Sequence, residues 1–443
     1  MRTREDFLMK YQELLKIVQD LPCFPVYRNS TPVVKIDGVP LTIEEVVKAA
    51  IFSELNILLI GERGEGKTQL MQDINSSLFG GKGTYIRARP DMKTKELYEL
   101  FNLENLKREL SPEVKAPLTQ IDEINRTPPI IQNEFFHMCD GYIEYEGKPV
   151  NLGNGFHITI ASANVKNERY GGTFEMDDAI LDRFYLVLNV DHYPTQAKDD
   201  LELMTSASGK NPKLTRSTGE DYTKQISRIR DELQQIRGER FDLDAYIALL
   251  YLKRGLDYCS LKQSKRKISY AIPTICKQKN CIRLKEENCG YIRPLSERTT
   301  EAVATLAPAL RLMADAKRGE GDGTVTYREI LEAFRLTAPY AGILDLVWIR
   351  NEYFSNPSLA LDDIVERIKE KFLRKEEEAK VAMNFALKGK LNEDIRDRFR
   401  GEWRFFVEIL EEINTIGKKF PNLVKRLKDK EITDKYPFMK ALR

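Results

Sequence analysis

The sequence has few cysteines and almost no net charge. It contains six cysteines in 443 residues, and its formal net charge is +2. So few cysteines, in a chain that we expect to be intracellular, favour free thiols or metal ligands over a disulfide framework. A nearly balanced charge gives no general attraction to nucleic acid or to a membrane surface.

Long apolar runs are absent too. No segment approaches the roughly 20 apolar residues that a membrane-spanning helix needs. The N-terminus, MRTREDFLMKYQELLKIVQ, is charged and amphipathic, which is not the pattern of a secretory signal. We therefore expect a cytoplasmic protein with no membrane partner. With 42% hydrophobic and 31% charged residues, the chain is long enough for two or three globular domains.

A glycine-rich segment at residues 55–68, LNILLIGERGEGKT, organises the rest of the chain. Its apolar residues lead into the pattern G-x-x-x-x-G-K-[ST], formed by Gly61, Gly66, Lys67 and Thr68. In such a P-loop the backbone N–H groups and the start of the following helix bind phosphates, the lysine reaches the β and γ oxygens, and the hydroxyl binds Mg²⁺. The predicted nucleotide-binding residues are Gly61, Glu62, Arg63, Gly64, Glu65, Gly66, Lys67, Thr68 and Gln69.

The segment PLTQIDEINR, residues 117–126, predicts the second half of this site. Its apolar run is typical of a buried strand that carries Asp122 and Glu123 to the C-terminal edge of a sheet, where ligands bind in open α/β folds. Asp122 would hold Mg²⁺ together with Thr68, and Glu123 would polarise the attacking water. A later strand, FHITIAS, ends near Asn164, which is either a partner of that water or an ordinary turn residue.

Hydrophobic periodicity predicts several elements around these motifs. Residues 1–22 indicate one amphipathic helix, residues 84–89 a strand, and residues 91–111 another helix. The alternation in YIEYEGKPV, residues 142–150, predicts a β-hairpin that turns at Gly147.

Two longer segments carry a family resemblance. DEINRTPPIIQNEFF, residues 122–136, resembles the segment D-E-I-N-R-x-P-P-x-x-Q-N of the MoxR-type AAA+ ATPases of the helix-2-insert clade. NVKNERYGGTFEMDDAILDRF, residues 164–184, resembles their N-P-x-E-x-x-G-T-Y-x-L-P-E-A-x-L-D-R-F. The resemblance implies an α/β P-loop AAA+ domain, with a parallel sheet flanked by helices, and an all-α lid. Its cofactors would be ATP and Mg²⁺.

The resemblance also implies roles that spacing alone leaves open. Asn164 would be sensor 1, Arg183 an arginine finger acting on the neighbouring subunit's nucleotide, and Arg298 the sensor-2 residue of the lid. With Lys67 and Glu123, these are the predicted catalytic residues. A finger that acts in trans requires a ring, and the expected assembly is a hexamer. The hairpin at residues 142–150 corresponds to the clade's insertion and is a candidate for partner contact.

By the same resemblance, the chain is expected to be a Mg²⁺-dependent ATPase. It would remodel or mature a client protein or complex, often with a von Willebrand factor A domain partner. Two alternatives stay open: a nucleic-acid-dependent motor or defence ATPase, and a slowly hydrolysing, nucleotide-gated scaffold.

The chain departs from the family pattern at several positions. Val165 and Glu297 each replace a proline, and Glu62 and Glu65 stand in the P-loop where apolar or small residues are more usual. Two carboxylates beside a triphosphate weaken its binding by repulsion unless a nearby cation, such as Arg63, offsets them.

The expected domain order begins with an N-terminal helix and linker, residues 1–33, and the AAA+ domain, residues 34–195. A helical lid at residues 220–340 and a helical C-terminal extension at residues 341–443 follow. The family resemblance does not reach the extension, whose segment FRGEWRFFVEILEEINTIGKKF has one apolar face. This face is expected to be buried against the lid, with partner docking as the alternative.

A basic, cysteine-rich insertion at residues 259–293 interrupts the lid. Four of the six cysteines lie in it, namely Cys259, Cys276, Cys281 and Cys289. Their clustering suggests a [4Fe–4S] cluster or Zn²⁺, since thiolates ligate both, and buried reduced thiols without metal are the third alternative. The eight basic residues between positions 260 and 285, with no acid among them, form a solvated loop or a contact to nucleic acid or an acidic partner. With the overall charge near zero, nucleic-acid binding is not favoured.

Overall fold

The computed structural model describes residues 4–24, 31–102, 107–164, 176, 178–206, 219–257, 291–399 and 403–420. The chain divides into two compact units, Met1–Gln234 with Ala309–Gly323, and Gln235–Pro308 with Thr324–Arg443. The four cysteines predicted as metal ligands lie outside the described residues. Within those residues, no helix is long and apolar enough to cross a membrane.

The strands in chain order are β1 (Val34–Ile36), β2 (Val39–Leu41), β3 (Ile57–Gly61), β4 (Thr84–Arg87), β5 (Glu99–Asn102), β6 (Lys107–Leu110), β7 (Leu118–Asp122), β8 (Tyr142–Tyr145), β9 (Lys148–Asn151), β10 (Ile158–Asn164) and β11 (Leu186–Asn189). The helices of the first 257 residues are α1 (Arg4–Asp20), α2 (Ile43–Phe52), α3 (Lys67–Leu78), α4 (Pro129–Cys139), α5 (Asp178–Leu181), α6 (Ala197–Ser206), α7 (Thr223–Glu239) and α8 (Leu243–Arg254). Those that follow are α9 (Glu297–Arg318), α10 (Tyr327–Thr337), α11 (Leu346–Glu352), α12 (Pro357–Leu387), α13 (Glu393–Asp397) and α14 (Arg404–Lys419).

The first unit is built on a five-stranded sheet in the order β11-β3-β10-β7-β4, and every neighbouring pair is parallel. All residues of β7 and β10 are buried, as expected for central strands of a sheet covered on both faces. The register sets Asn164 opposite Gly61, and Arg87 opposite Asp122. The carboxyl ends of these strands therefore meet at one edge. The predicted α/β architecture with a parallel sheet flanked by helices is confirmed.

The helix predicted over residues 91–111 is wrong. The chain forms a short 3-10 turn at Thr94–Leu97 and then the antiparallel hairpin of β5 and β6. The segment is rich in Leu, Glu and Lys, which favour helix, but local propensity is a weak preference that tertiary contacts override. Here the turn buries Leu97 and Tyr98, and the hairpin closes with a hydrogen bond from the Ser111 N–H to the Tyr98 carbonyl (2.8 Å).

The hairpin predicted at residues 142–150 is present as β8 and β9, with Tyr145 opposite Lys148. Its two turn residues, Glu146 and Gly147, have φ values of 50° and 73°. Two consecutive positive φ values are typical of the type I′ turn, whose twist matches that of the strands. Glycine at the second position adopts this conformation without steric cost.

The N-terminal helix predicted over residues 1–22 corresponds to α1, which packs inside the first unit on the end of α9. The Tyr11 hydroxyl donates to Asp315 Oδ2 (2.9 Å), and Gln19 Nε2 donates to the Ala316 carbonyl (2.7 Å). The Asp315 side chain is only 1% exposed and lies 3.6 Å from Arg311. This buried charge cluster fixes α1 to α9, since an unpaired carboxylate there would be costly.

In the second unit, the C-terminal helices bury the apolar face predicted for residues 399–420. Trp403 and Phe405 pack on Tyr251 of α8, with ring centroids 5.3 and 6.1 Å apart, and Trp403 also meets Phe372 of α12 at 6.0 Å. Most of the face is buried, although Ile409 is only half-buried. The aromatic side chains are thus covered by the chain itself, as expected.

His157, just before β10, is a largely enclosed histidine whose protonation opposes folding. Its Nε2 lies 3.0 Å from Thr119 Oγ1, and burial lowers the pKa of the ring from 6.5 to about 4. Between these pH values the unfolded chain binds a proton that the folded chain does not bind. The stability that the neutral ring contributes is therefore complete above pH 6.5 and is lost as the pH falls toward 4.

We expect a His157→Gln variant to remove this part of the pH dependence. In the wild-type chain, the free energy of unfolding should fall by up to about 3 kcal/mol between pH 7.5 and pH 4.5, because the unfolded chain binds the proton more tightly than the folded chain does. Urea unfolding followed by circular dichroism at several pH values measures it. A His137→Gln variant is the control, and an equal flattening of its profile would contradict the assignment to His157.

Candidate functional site

The P-loop joins the end of β3 to the start of α3. Gly64 and Gly66 have φ values of 87° and 76°, in the left-handed region. A methyl group at either position would meet no other atom within 4 Å. Glycine is therefore required for its backbone freedom and not for lack of space. The turn leaves the first N–H groups of α3 without helical partners at the positive end of the helix, which makes an anion-binding site.

Lys67, the first residue of α3, folds back over this loop. Its ammonium donates to the carbonyls of Gly61 (2.7 Å) and Glu62 (2.6 Å). Burial lowers the pKa of Lys67, and the carboxylates of Asp191 and Asp122 partly oppose that effect. The cation is thus held at the loop by neutral carbonyls, which the oxygens of a bound phosphate would outcompete as charge-assisted acceptors.

Asp122, at the end of β7, accepts hydrogen bonds from three hydroxyl groups. Thr68 (2.9 Å) and Ser162 (2.6 Å) donate to Oδ1, and Tyr85 (2.7 Å) donates to Oδ2. Burial and, as the second cause, the hydrogen bond to Asp122 raise the pKa of Tyr85 well above its usual value. Sequence reasoning missed Ser162 and Tyr85. Ser162 had one available signal, since it lies two residues before Asn164 and so on the same face of β10.

The oxygen donors at this point fit Mg²⁺. The Thr68 hydroxyl and the Asp122 carboxylate are 2.9 Å apart, and Mg²⁺ in nucleotide sites takes one or two such protein oxygens with the phosphates of the substrate. The predicted Mg²⁺ ligands Thr68 and Asp122 are thus brought together. In the part of the chain that the structure describes, no group of three or more His, Cys, Asp or Glu side chains is placed to hold a metal ion.

Glu123 follows Asp122 in a left-handed conformation, with φ 56° and ψ 45°. Such a conformation costs a non-glycine residue about 1–2 kcal/mol and persists only where surrounding contacts stabilise it. Here the Glu123 N–H donates to Ser162 Oγ (2.9 Å). Its carboxylate accepts from Asn164 Nδ2 (3.1 Å) and from Arg126 (2.7 Å). The structure therefore brings the predicted Glu123 and Asn164 into direct contact.

The other predicted residues of the loop are less enclosed. Glu62, Arg63 and Gly64 are exposed, and Glu65 is half-buried. Gln69, in the first turn of α3, donates to Asp73 Oδ1 (2.9 Å).

The hydrogen bonds described above do not include either of the two predicted arginines. Arg183, after α5, donates to Asp140 Oδ2 (3.0 Å) and to the Ala179 carbonyl (2.8 Å), and its guanidinium lies 5.0 Å from the ring centre of Phe136. These partners belong to α4, α5 and their ends, and not to the P-loop. Arg298 lies half-buried in the first turn of α9, within the second unit.

A comparison with known protein families matches the part of the chain that contains the P-loop and β7. Residues 56–184 match the AAA domain of the dynein-related subfamily. Over 186 residues, the chain is 27% and 28% identical to uncharacterized proteins from two Staphylococcus epidermidis strains, and each alignment takes in 38% of this chain. The chain spans 64% of the length of these relatives.

Among solved structures, the chain is similar in fold to a crystal structure described as a "putative ATPase" from Cytophaga hutchinsonii. The TM-score is 0.57 at 17% identity, covering 83% of this chain and 96% of that one. At this identity the similarity concerns the fold alone. The domain match covers β3, Asp122, Glu123 and Asn164, the elements that meet at one edge of the sheet. Residues 56–184 of this chain are therefore similar to an AAA domain of the dynein-related subfamily.

Proposed function

We propose that this chain is a MoxR-like AAA+ ATPase that binds ATP with Mg²⁺ and hydrolyses it. One observation carries the proposal: a single sheet edge holds Lys67, Thr68, Asp122, Glu123 and Asn164, joined by hydrogen bonds from Thr68 to Asp122 and from Asn164 to Glu123. This set provides a phosphate-binding cation, two oxygen donors for a metal, a carboxylate base and an amide beside that base. Each is a group that phosphoryl transfer to water requires.

In the proposed mechanism, Lys67 and the N–H groups at the start of α3 bind and orient the phosphates. Glu123 accepts a proton from the attacking water, and Asn164 keeps one oxygen of that carboxylate in place. Thr68 and Asp122 would hold Mg²⁺, which when bound supplies positive charge to the phosphate oxygens. Because these groups are positioned before substrate arrives, little reorganisation is needed in the transition state.

The proposed working form is a hexameric ring. Arg183 of each subunit would stabilise the charge that develops on the neighbour's γ-phosphoryl group, and Arg298 would report that group to the lid. The proposed work of the ring is to remodel or mature a client protein, with a von Willebrand factor A domain protein as the expected partner. The AAA domain match and the resemblance at residues 122–136 and 164–184 support this part of the proposal.

A Lys67→Ala variant tests the nucleotide site. Loss of a charge-assisted contact to phosphate should weaken ATP binding by roughly 10–100-fold, equivalent to about 1.5–3 kcal/mol. Calorimetric titration with Mg²⁺ and a non-hydrolysable ATP analogue, and release of phosphate from ATP with and without EDTA, are the measurements. Lys82→Ala is the matched control, since Lys82 is exposed and pairs with Asp221 beyond the far end of α3. Absence of Mg²⁺-dependent hydrolysis by the wild-type protein would overturn the proposal.

A further inference from the structure

Asp191 is a carboxylate at the P-loop that the proposed mechanism does not use. Its Oδ2 accepts the backbone N–H of Glu62 at 2.9 Å. Glu62 follows Gly61, the last residue of β3, so this contact fixes the first step of the loop after the strand. It joins the loop to a part of the chain 129 residues away in sequence.

The sheet places Asp191 at this position. Strand β11 pairs in parallel with β3, and the register sets Asn189 opposite Ile60. The chain segments that follow these two positions therefore run side by side, one to Glu62 and the other to Asp191. A methyl group on Gly61 would come within 2.5 Å of Val190 Cγ2 and 3.0 Å of Asp191 Oδ1. The first glycine of the P-loop is thus required partly by the close approach of this segment.

Local contacts hold Asp191 in place. The Asn189 side-chain oxygen accepts the Asp191 N–H at 3.1 Å, and Asn189 Nδ2 lies 3.1 Å from His192 Nε2. A side chain whose own backbone is fixed in this way positions its partner more accurately than a mobile one does. Asp191 is therefore a preformed acceptor for the Glu62 N–H.

Asp191 also places negative charge beside the proposed phosphate site. Among the charged groups that act on the Lys67 ammonium, Asp191 acts more strongly than Asp122, Glu123 or Glu62. A triphosphate bound at Lys67 would meet the same carboxylate and be repelled by it. The repulsion predicted from Glu62 and Glu65 thus has a third source, the carboxylate of Asp191 in the turn that follows β11.

We propose that Asp191 is a positioning residue that sets the nucleotide affinity of the P-loop, because its oxygen holds the Glu62 N–H while its charge opposes the triphosphate. This inference rests on the proposed nucleotide site. The two effects have opposite signs: the hydrogen bond favours nucleotide binding by preorganising the loop, and the charge disfavours it. Two substitutions separate them, since Asp191→Asn removes the charge and keeps an acceptor oxygen, whereas Asp191→Ala removes both.

The test measures binding of the Mg²⁺ complex of AMPPNP, a non-hydrolysable ATP analogue, to the full chain by calorimetry. We expect Asp191→Asn to bind about threefold to tenfold more tightly than wild type, with a smaller gain at high salt because exposed charges are screened. We expect Asp191→Ala to bind about threefold to tenfold more weakly than Asp191→Asn, since the loop loses its anchoring hydrogen bond. Hydrogen–deuterium exchange of the peptide containing Glu62 should be unchanged in the Asn variant and faster in the Ala variant.

Asp221 offers a matched control. Its Oδ1 accepts the Thr223 N–H at 2.9 Å, the same length as the Asp191 contact, but it lies beyond the C-terminal end of α3. The 12 residues of α3 put roughly 18 Å between that end and the P-loop. Neither Asp221→Asn nor Asp221→Ala should change the affinity for the analogue.

Equal affinities in wild type and both Asp191 variants would overturn the inference alone, as would unchanged exchange at Glu62 in the Ala variant. Failure of the wild-type chain to bind the analogue at all would overturn the proposed function, and the inference with it.

Discussion

Replacing Glu123 by Gln is expected to lower ATP turnover by roughly 10²–10⁴-fold, the usual contribution of a general base, while Mg·ATP still binds. The amide keeps the size of the side chain and an oxygen that can accept from Asn164, but it cannot take a proton from water. The phosphate-binding groups, Lys67 and the start of α3, are unchanged. The variant should therefore trap the nucleotide-bound state.

Single-turnover hydrolysis and calorimetric binding, measured on the same preparation, separate chemistry from binding. Glu366→Gln is a suitable control because Glu366 is an exposed residue of α12 whose carboxylate pairs with Lys369 on the same helix (3.2 Å). Its turnover should equal that of wild type. Turnover by Glu123→Gln within a fewfold of wild type would exclude Glu123 as the base. Loss of ATP binding together with turnover would instead indicate that Glu123 supports the fold of the site.

The second large effect is expected at Arg183. An Arg183→Ala variant should lose roughly 10³-fold in turnover, the lower end of what an arginine finger contributes. The hydrolysis that is lost should be that of the nucleotide on the neighbouring subunit. Within its own chain, Arg183 contacts Asp140 and Ala179. Phosphate release at saturating ATP is the measurement, and an unchanged rate would contradict the assignment.

Mixing two inactive variants tests whether Arg183 acts in trans. Arg183→Ala supplies an intact Glu123, and Glu123→Gln supplies an intact Arg183, so some interfaces of a mixed ring contain both. With random assembly in a head-to-tail ring, roughly a quarter of interfaces should be complete. Turnover should therefore reappear in the mixture. No recovery, in rings shown by mass to be mixed, would place the action of Arg183 within its own chain.

A structural contribution of Arg183 has to be measured alongside. Its side chain is 19% exposed and makes an ion pair with Asp140, so its removal also lowers stability. An Asp140→Asn variant breaks the same ion pair and leaves the guanidinium in place. If lower stability alone explains the loss of turnover in Arg183→Ala, Asp140→Asn should lose turnover equally. If Arg183 is an arginine finger, Asp140→Asn should retain most of the wild-type turnover.

Sequence reasoning was most successful where neighbouring residues define the chemistry. The P-loop lies within residues 61–68, and its turn depends on glycines at Gly64 and Gly66 whose positive φ values are a local requirement. Asp122 is the last residue of the buried strand that its apolar run predicted. For the hairpin predicted at residues 142–150, the alternation of its residues together with a glycine at the turn was a sufficient signal.

It failed where tertiary packing overrides the local preference of a segment. Residues 91–111 have the composition of a helix, yet β5 and β6 pair there and the preceding turn buries Leu97 and Tyr98. No single-sequence pattern reports the stability of burying those side chains in the tertiary structure. The lid cysteines are a different case, because they lie outside the described residues and their role stays a prediction.

By itself the sequence determined the P-loop motif with its lysine and hydroxyl, and the acids at the end of a buried strand, because each depends on residues close together in the chain. Only the tertiary structure decided what surrounds them. Strand register brings Ser162 and Tyr85 to Asp122 and carries Asp191 to the Glu62 N–H. Register is set by the packing of whole strands, and hydrogen bonds that follow from it join residues 37 to 129 positions apart.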